Sequence, residues 1–176
     1  HVMSGFEFDD MVGEIRRFEG RFGRLEIGAP LLTDNEDYQR VARAVIGEIG
    51  VPEDEALILM GHGTGHFANA TYPAMDYRFK EMGHANVFVG TVEGYPEIDH
   101  VTKLLSEGRY RRVTLAPLMV VAGDHAQNDM SGDGEDSWKS KLTRAGYEVR
   151  CLLKGLGEYP AIRRLYVEHA GRAMRR

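Results

Sequence analysis

The chain has 176 residues, which is enough for one domain with a substantial core and short for two. Its formal net charge is −5, so no general attraction to nucleic acid or to an anionic membrane is expected. No apolar run approaches the roughly 20 residues that a membrane-spanning helix needs, and one cysteine cannot form an internal disulfide bond. We therefore expect neither nucleic acid nor membrane among its partners.

Residues 1–50 predict a helix, a short strand and a second helix. Apolar residues at three- and four-residue spacing predict the first helix over residues 6–19, and residues 25–32 predict the strand. Thr33 and Glu36 have the form of a capping box at the start of the second helix. We expect these elements to be a connecting segment that packs against a neighbouring unit.

From residue 51 onwards, strands and helices alternate. Strands are predicted over residues 56–61, 86–92, 112–121 and 148–153, and helices over residues 67–82, 96–106, 136–145 and 158–174. The first and third strands are apolar on both faces, which is typical of the interior of a parallel sheet. The alternation predicts an α/β fold over residues 51–176, with a parallel sheet of four or five strands and helices on both faces.

Ionisable residues follow three of these strands. His62 comes at the end of the first strand between two glycines, Glu93 follows the second, and His125 follows the third. Because the carboxyl ends of parallel strands lie at one edge of a sheet, these three residues can converge there. Two imidazoles and a carboxylate suit a first-row divalent cation and leave coordination positions open for a substrate. The spacing therefore predicts a metal site.

Each of these residues also has a structural interpretation. A histidine after a strand is often a hydrogen-bonded loop residue, and Glu93 can cap the following helix, where a carboxylate favours the helix dipole. For Asp124 we prefer the interpretation as a helix cap. His66 either orients a metal ligand or simply begins a helix.

The remaining histidines and the sulfur-containing residues are interpreted as structural. His84, His100 and His169 are predicted to lie at the surface. Core or cleft packing, rather than metal ligation, is predicted for Cys151, Met3, Met119 and Met130.

Three motifs stand at the predicted strand ends: Gly61-His62-Gly63, Val92-Glu93-Gly94-Tyr95-Pro96, and the long motif from Leu118 to Met130. Together they closely resemble the anaerobic cobalt chelatases of cobalamin synthesis, the sirohydrochlorin cobaltochelatases of the class II chelatase group. The resemblance covers essentially the whole chain. It implies a chelatase-like fold of two similar α/β units that face each other across a tetrapyrrole cleft.

The resemblance also implies which residues form the active site and which reaction they catalyse. The family's metal-binding and catalytic histidine, glutamate and histidine correspond to His62, Glu93 and His125. The implied activity is insertion of a divalent metal into sirohydrochlorin or a related tetrapyrrole, with cobalt(II) as the substrate metal and iron(II) or nickel(II) as alternatives. Because sirohydrochlorin is a polycarboxylate, we expect basic residues such as Arg78 and Lys80 along the cleft.

Full-length members of the resembling family carry most of another α/β unit before the point where this chain begins, at His1-Val2-Met3. We expect one of two arrangements. Either such a unit precedes this chain and residues 1–50 are its last part, or a symmetric partner forms the other side of the cleft. The second arrangement predicts a homo-oligomer. The expected compartment is the cytoplasm, with the periplasm as the alternative.

Two other functions fit the same residues. A metal-dependent hydrolase would use the histidines and the glutamate to activate water. However, we find no phosphate-binding loop or oxyanion donor in the sequence. A metal- or haem-carrying protein would bind without turnover, with His1 as an axial haem ligand.

Overall fold

The computed structural model describes residues 1–175, and within them the strands form one parallel sheet. The order across the sheet is β2-β1-β3-β4, with β1 at Glu55–Gly61, β2 at Val87–Thr91, β3 at Arg112–Pro117 and β4 at Glu148–Cys151. In the centre, Leu59 of β1 is paired with Val89 of β2 and with Ala116 of β3. The prediction of an α/β fold with a parallel sheet is therefore confirmed. Arg176, the last residue of the predicted unit, lies outside the described residues.

Helices cover both faces of the sheet. They are α1 at Phe6–Arg16, α2 at Asn35–Ile49, α3 at Thr71–Glu81, α4 at Ile98–Ser106, α5 at Trp138–Arg144 and α6 at Pro160–Met174. Leu57 and Leu59 of β1 pack with α2, α3 and α6, whereas Ile58 and Met60 pack with α4 and α5 on the other face. This double cover explains why β1 is apolar without alternation. Over the described residues, no helix is both long and apolar enough to cross a membrane.

The prediction of a strand over residues 25–32 is wrong. The N–H groups of Leu31 and Leu32 donate to the carbonyls of His1 and Val2, at 3.1 and 2.8 Å, instead of to a strand of the sheet. Both leucines are buried in the core that α2 shares with α3 and α6. Residues from the predicted connecting segment thus contribute to the core of the main unit, and the division at residue 50 stays a prediction.

The capping box of α2 lies one residue later than predicted. Asp34, not Thr33, is the N-cap, and its side chain accepts a hydrogen bond from the N–H of Asp37 at 2.9 Å. The Asp37 carboxylate accepts in return from the N–H of Asp34. Either an aspartate or a threonine can cap a helix, so the sequence left two adjacent registers open.

The strand predicted to run to Val121 ends at Pro117. The N–H of Leu118 still donates to β1. The carbonyls of Met119 and Val120 instead accept hydrogen bonds from the N–H groups of Leu156 and Gly157, at 2.8 and 2.9 Å. The apolar run therefore extends past the end of the strand, and its backbone there is hydrogen-bonded to the turn that precedes α6.

The prediction that His169 faces solvent is also wrong. Its side chain is only 2% exposed; its Nε2 lies 3.0 Å from Oδ1 of Asp37 and its Nδ1 lies 3.2 Å from the carbonyl of Ala29. The sequence held a signal, since His169 continues the buried stripe of α6 that contains Ile162 and Leu165.

Candidate metal centre

The three residues predicted from the strand ends lie together in the structure. One ligand atom from each of His62, Glu93 and His125 can be chosen so that all three lie within 4.8 Å of one another. Within residues 1–175, this is the one group of three such side chains close enough to share a metal ion. The site lies at the carboxyl edge of the sheet, beyond the ends of β1, β2 and β3.

Backbone pairing between β1 and β2 continues past the strands and brings His62 beside Glu93. The N–H of Val92 donates to the carbonyl of Gly61 at 3.1 Å, and the N–H of Glu93 donates to the carbonyl of His62 at 2.8 Å. As a result, Nδ1 of His62 lies 3.9 Å from the Glu93 carboxylate. These two side chains are therefore positioned by the sheet itself.

The glycines around His62 are required by close approach. Gly63 has a φ of +86°, and a Cβ there would lie 2.6 Å from the backbone nitrogen of Gly94. A Cβ on Gly61 would lie 2.1 Å from the ring of Tyr72. A side chain at Gly63 would push the loop after β1 away from the loop after β2, and one at Gly61 would displace the Tyr72 ring.

Both imidazole rings have Nδ1 engaged in a hydrogen bond. Nδ1 of His62 lies 2.9 Å from the carbonyl of Gly63, and Nδ1 of His125 lies 2.5 Å from Oδ2 of Asp129. Because these oxygens accept, Nδ1 carries the proton in each ring, and Nε2 of the neutral ring keeps its lone pair. The rings meet edge to face, with centroids 4.7 Å apart. The structure thus places two imidazoles and a carboxylate side by side.

The centre is open to solvent on one side. The side chains of His62, Glu93 and His125 are 43%, 58% and 30% exposed. A cavity of about 300 Å³ adjoins His62, and its lining includes Tyr72 and Met119. A cation and a larger substrate can therefore both reach the ligand atoms.

His1 lies on the wall of this cavity, apart from the group of three. Its exposed ring packs edge to face on Phe8, with centroids 5.6 Å apart. Met3 lines the same cavity, and Met130 is fully buried in the core beside α4 and α5, so both fill space.

Two residues that support the centre were not found from the sequence. The hydroxyl of Tyr72 accepts the N–H of Gly63 at 3.2 Å, and burial, with a smaller contribution from Glu7, raises the pKa of Tyr72 above its ordinary value. Asn69 joins two loops, because its Oδ1 accepts the N–H of Thr64 at 3.1 Å and its Nδ2 donates to the carbonyl of Tyr95 at 2.7 Å. Tyr72 belongs to the buried face of α3, which the spacing shows; Asn69 gives no sequence signal.

The alternatives for the neighbouring residues are now decided. His66 caps a short 3₁₀ turn, with its Nδ1 accepting the N–H of Ala68 at 3.1 Å. Asp124 is not a cap, since its carboxylate accepts from the side chain of Asn128 at 2.7 Å. At the start of α4 the N-cap is Glu97, not Glu93, and it makes no capping hydrogen bond with its side chain.

The prediction that Arg78 and Lys80 line the cleft is wrong. Arg78 forms an ion pair with Glu81. Lys80 pairs with Asp76 at 2.7 Å and donates to the carbonyl of Val87, the first residue of β2, at 2.9 Å. Both residues lie in the last turn of α3, which returns the chain to the amino edge of the sheet, opposite the centre.

The geometry points to the class of metal-binding α/β proteins. It places two imidazoles and a carboxylate together at the carboxyl edge of a parallel sheet. The model of the family described as cobalt chelatase (CbiK) matches residues 1–175. The chain belongs to this family.

Two curated relatives agree with this assignment. A sirohydrochlorin cobaltochelatase from Salmonella typhimurium is 39% identical over 99% of this chain and 66% of its own length. The sirohydrochlorin cobaltochelatase CbiKC from Nitratidesulfovibrio vulgaris is 35% identical over 96% of this chain and 61% of its own length. The chain therefore spans less than two thirds of the length of these relatives.

A solved structure shares the fold. It is described as SirB from Bacillus subtilis with Fe3+, and it superposes with a TM-score of 0.64 at 20% identity. The match covers 93% of this chain and 64% of the other. At this level of identity the likeness concerns the fold alone.

Proposed function

We propose that this chain carries the metal-inserting part of a sirohydrochlorin cobaltochelatase. The observation that carries the proposal is the group His62, Glu93 and His125, whose ligand atoms lie within 4.8 Å of one another at an open sheet edge. Membership of the cobalt chelatase family and the names of both curated relatives support the same reaction. The reaction exchanges a divalent cobalt ion for the two inner N–H protons of the tetrapyrrole.

The proposed roles follow from the chemistry of the donors. Nε2 of His62 and Nε2 of His125 bind the incoming ion, and each imidazole can accept a pyrrole proton once the metal has left it. Glu93 contributes negative charge beside the ion and a further proton acceptor. Three protein ligands leave the remaining positions to water, so the ion stays labile enough to pass to the macrocycle.

Cobalt(II) is the proposed substrate metal because both relatives are named as cobaltochelatases. Imidazole and carboxylate ligands order iron(II), cobalt(II) and nickel(II) by affinity and exclude none of them. Iron(II) and nickel(II) are therefore tested as alternative substrates in the same assay.

We also propose that a second copy of the chain, or a further unit, covers the centre. Each of the three strands that position the centre is followed by an exposed apolar side chain: Phe67 after β1, Tyr95 after β2 and Val121 after β3. The adjoining cavity of about 300 Å³ is at the lower end of ligand pockets, which bury most of their ligand. A flat tetrapyrrole would thus need another surface on its open face.

The test is to mix the protein with sirohydrochlorin and cobalt(II) and to follow the change in the absorption spectrum. Insertion by the unaltered protein, together with a loss of about 100-fold or more in His125→Ala, would support the proposal. His84→Ala is the matched control, because His84 lies in the turn between α3 and β2 at the opposite edge. Insertion at an unchanged rate in His125→Ala would overturn it.

The same assay separates the rival functions. A metal or haem carrier would show binding without insertion, and His1→Ala would then abolish haem binding. A chelatase keeps its insertion rate in His1→Ala, because His1 does not belong to the group of three. A hydrolase would leave the tetrapyrrole spectrum unchanged.

A further inference from the structure

We propose that Asp129 is a positioning residue for His125: its carboxylate holds the imidazole in the tautomer that presents Nε2 to the metal. The inference rests on the proposed function only in taking His125 as a metal ligand. Nothing in the sequence pattern separates Asp129 from the other polar residues of its loop.

The contact between the two side chains is direct. Oδ2 of Asp129 lies 2.5 Å from Nδ1 of His125, so the carboxylate accepts a charge-assisted hydrogen bond from the ring. The four-residue spacing places both side chains on one face of the turn after β3. The backbone there forms a π-turn over Ala126–Met130, a geometry that is frequent at functional sites. The turn therefore brings a carboxylate to the side of the ring that faces away from the ion.

This contact fixes which nitrogen carries the proton. A carboxylate has only acceptor lone pairs, so Nδ1 must donate. In the neutral ring the lone pair is then on Nε2, the nitrogen left for a cation. Without the carboxylate the proton can move to Nε2 and block that position, and the ring can also rotate. Carboxylate partners of this kind typically change metal affinity or activity by about 10–100-fold.

In His62 a backbone carbonyl, rather than a carboxylate, holds the ring in the same tautomer. Its Nδ1 lies 2.9 Å from the carbonyl of Gly63, in the loop that Tyr72 and the β1–β2 pairing hold in place. His125 has no such contact with its own loop backbone among the described residues, and its ring orientation depends on Asp129. We therefore expect His125 to be more sensitive than His62 to the loss of a single side chain.

The test compares Asp129→Ala with Asp124→Ala in the metal-free protein and in a cobalt(II) titration. Asp124 lies on the same turn and carries the same charge, but it contacts Asn128 and not the imidazole, so its variant controls for charge and for local folding. The tautomer is observed from the ¹⁵N and ¹H shifts of the His125 ring. Cobalt(II) affinity is measured from its visible absorption, without any tetrapyrrole.

The proposal predicts that His125 is protonated at Nδ1 in the unaltered protein and in Asp124→Ala, and mainly at Nε2 in Asp129→Ala. Cobalt(II) should bind about 10–100-fold more weakly to Asp129→Ala. Asp129→Asn, whose amide oxygen still accepts, should keep the Nδ1 tautomer and recover part of the affinity. An unchanged tautomer, or equal affinities in the two alanine variants, would overturn the proposal. Because no readout involves tetrapyrrole, its failure is distinguishable from failure of the proposed function.

Discussion

At the scale of single residues, position relative to the strand ends determines what could be predicted. His62, Glu93 and His125 follow consecutive parallel strands, and the geometry of a parallel sheet alone places such residues at one edge. Asn69 and Asp129 act through contacts within and between loops. Those contacts depend on loop conformations that the sequence does not specify, so these two residues were not found.

His169 provides a residue-scale prediction about stability. We expect His169→Ala to lower the free energy of unfolding by about 2–4 kcal/mol, because it leaves a cavity and removes the partner of the buried Asp37 carboxylate. Urea denaturation measures the change. His100→Ala is the control, since the exposed His100 ring should change stability by less than about 0.5 kcal/mol. Equal urea midpoints for the two variants would contradict the buried position of His169.

At the scale of elements, the pattern of alternation predicted the sheet and its helices, and local hydrogen bonding decided where they end. The apolar run after Pro117 has the composition of a strand, but its last carbonyls pair with Leu156 and Gly157 rather than with β1. Leu31 and Leu32, at the end of the other segment predicted as a strand, likewise donate to the first two residues of the chain. In both segments the hydrogen-bonding partner is a property of the tertiary fold, which composition alone does not determine.

The loop after β1 gives the element-scale prediction. Gly63→Ala would place a Cβ 2.6 Å from the backbone of Gly94 at a φ of +86°, so the loop must shift and separate His62 from Glu93. We expect at least about a 10-fold loss of cobalt(II) affinity in a protein that still folds.

The matched control for this variant is Gly65→Ala, two residues further along the same loop. A Cβ at Gly65 meets no atom within 4 Å. Cobalt(II) affinity should therefore stay close to that of the unaltered protein. If Gly63→Ala also kept full affinity, the close contact between the two loops would not be what positions His62.

At the scale of the whole molecule, the exposed apolar residues around the centre predict association. If a second copy covers the site, the protein should sediment with the mass of at least a dimer. Phe67→Ser, which removes an exposed aromatic ring beside the centre, should weaken the association without lowering the free energy of unfolding of the subunit. A monomer that inserts cobalt as fast as a related full-length chelatase would show that no second wall is needed.

The arrangement of His62, Glu93 and His125 around one cation is the central claim, and anomalous diffraction tests it most directly. Crystals soaked in cobalt(II) should show one strong peak at the cobalt edge, within bonding distance of both Nε2 atoms and of a Glu93 oxygen. The peak should disappear in crystals of His125→Ala and persist in crystals of His84→Ala. A cobalt peak elsewhere, with none between these three side chains, would contradict the account.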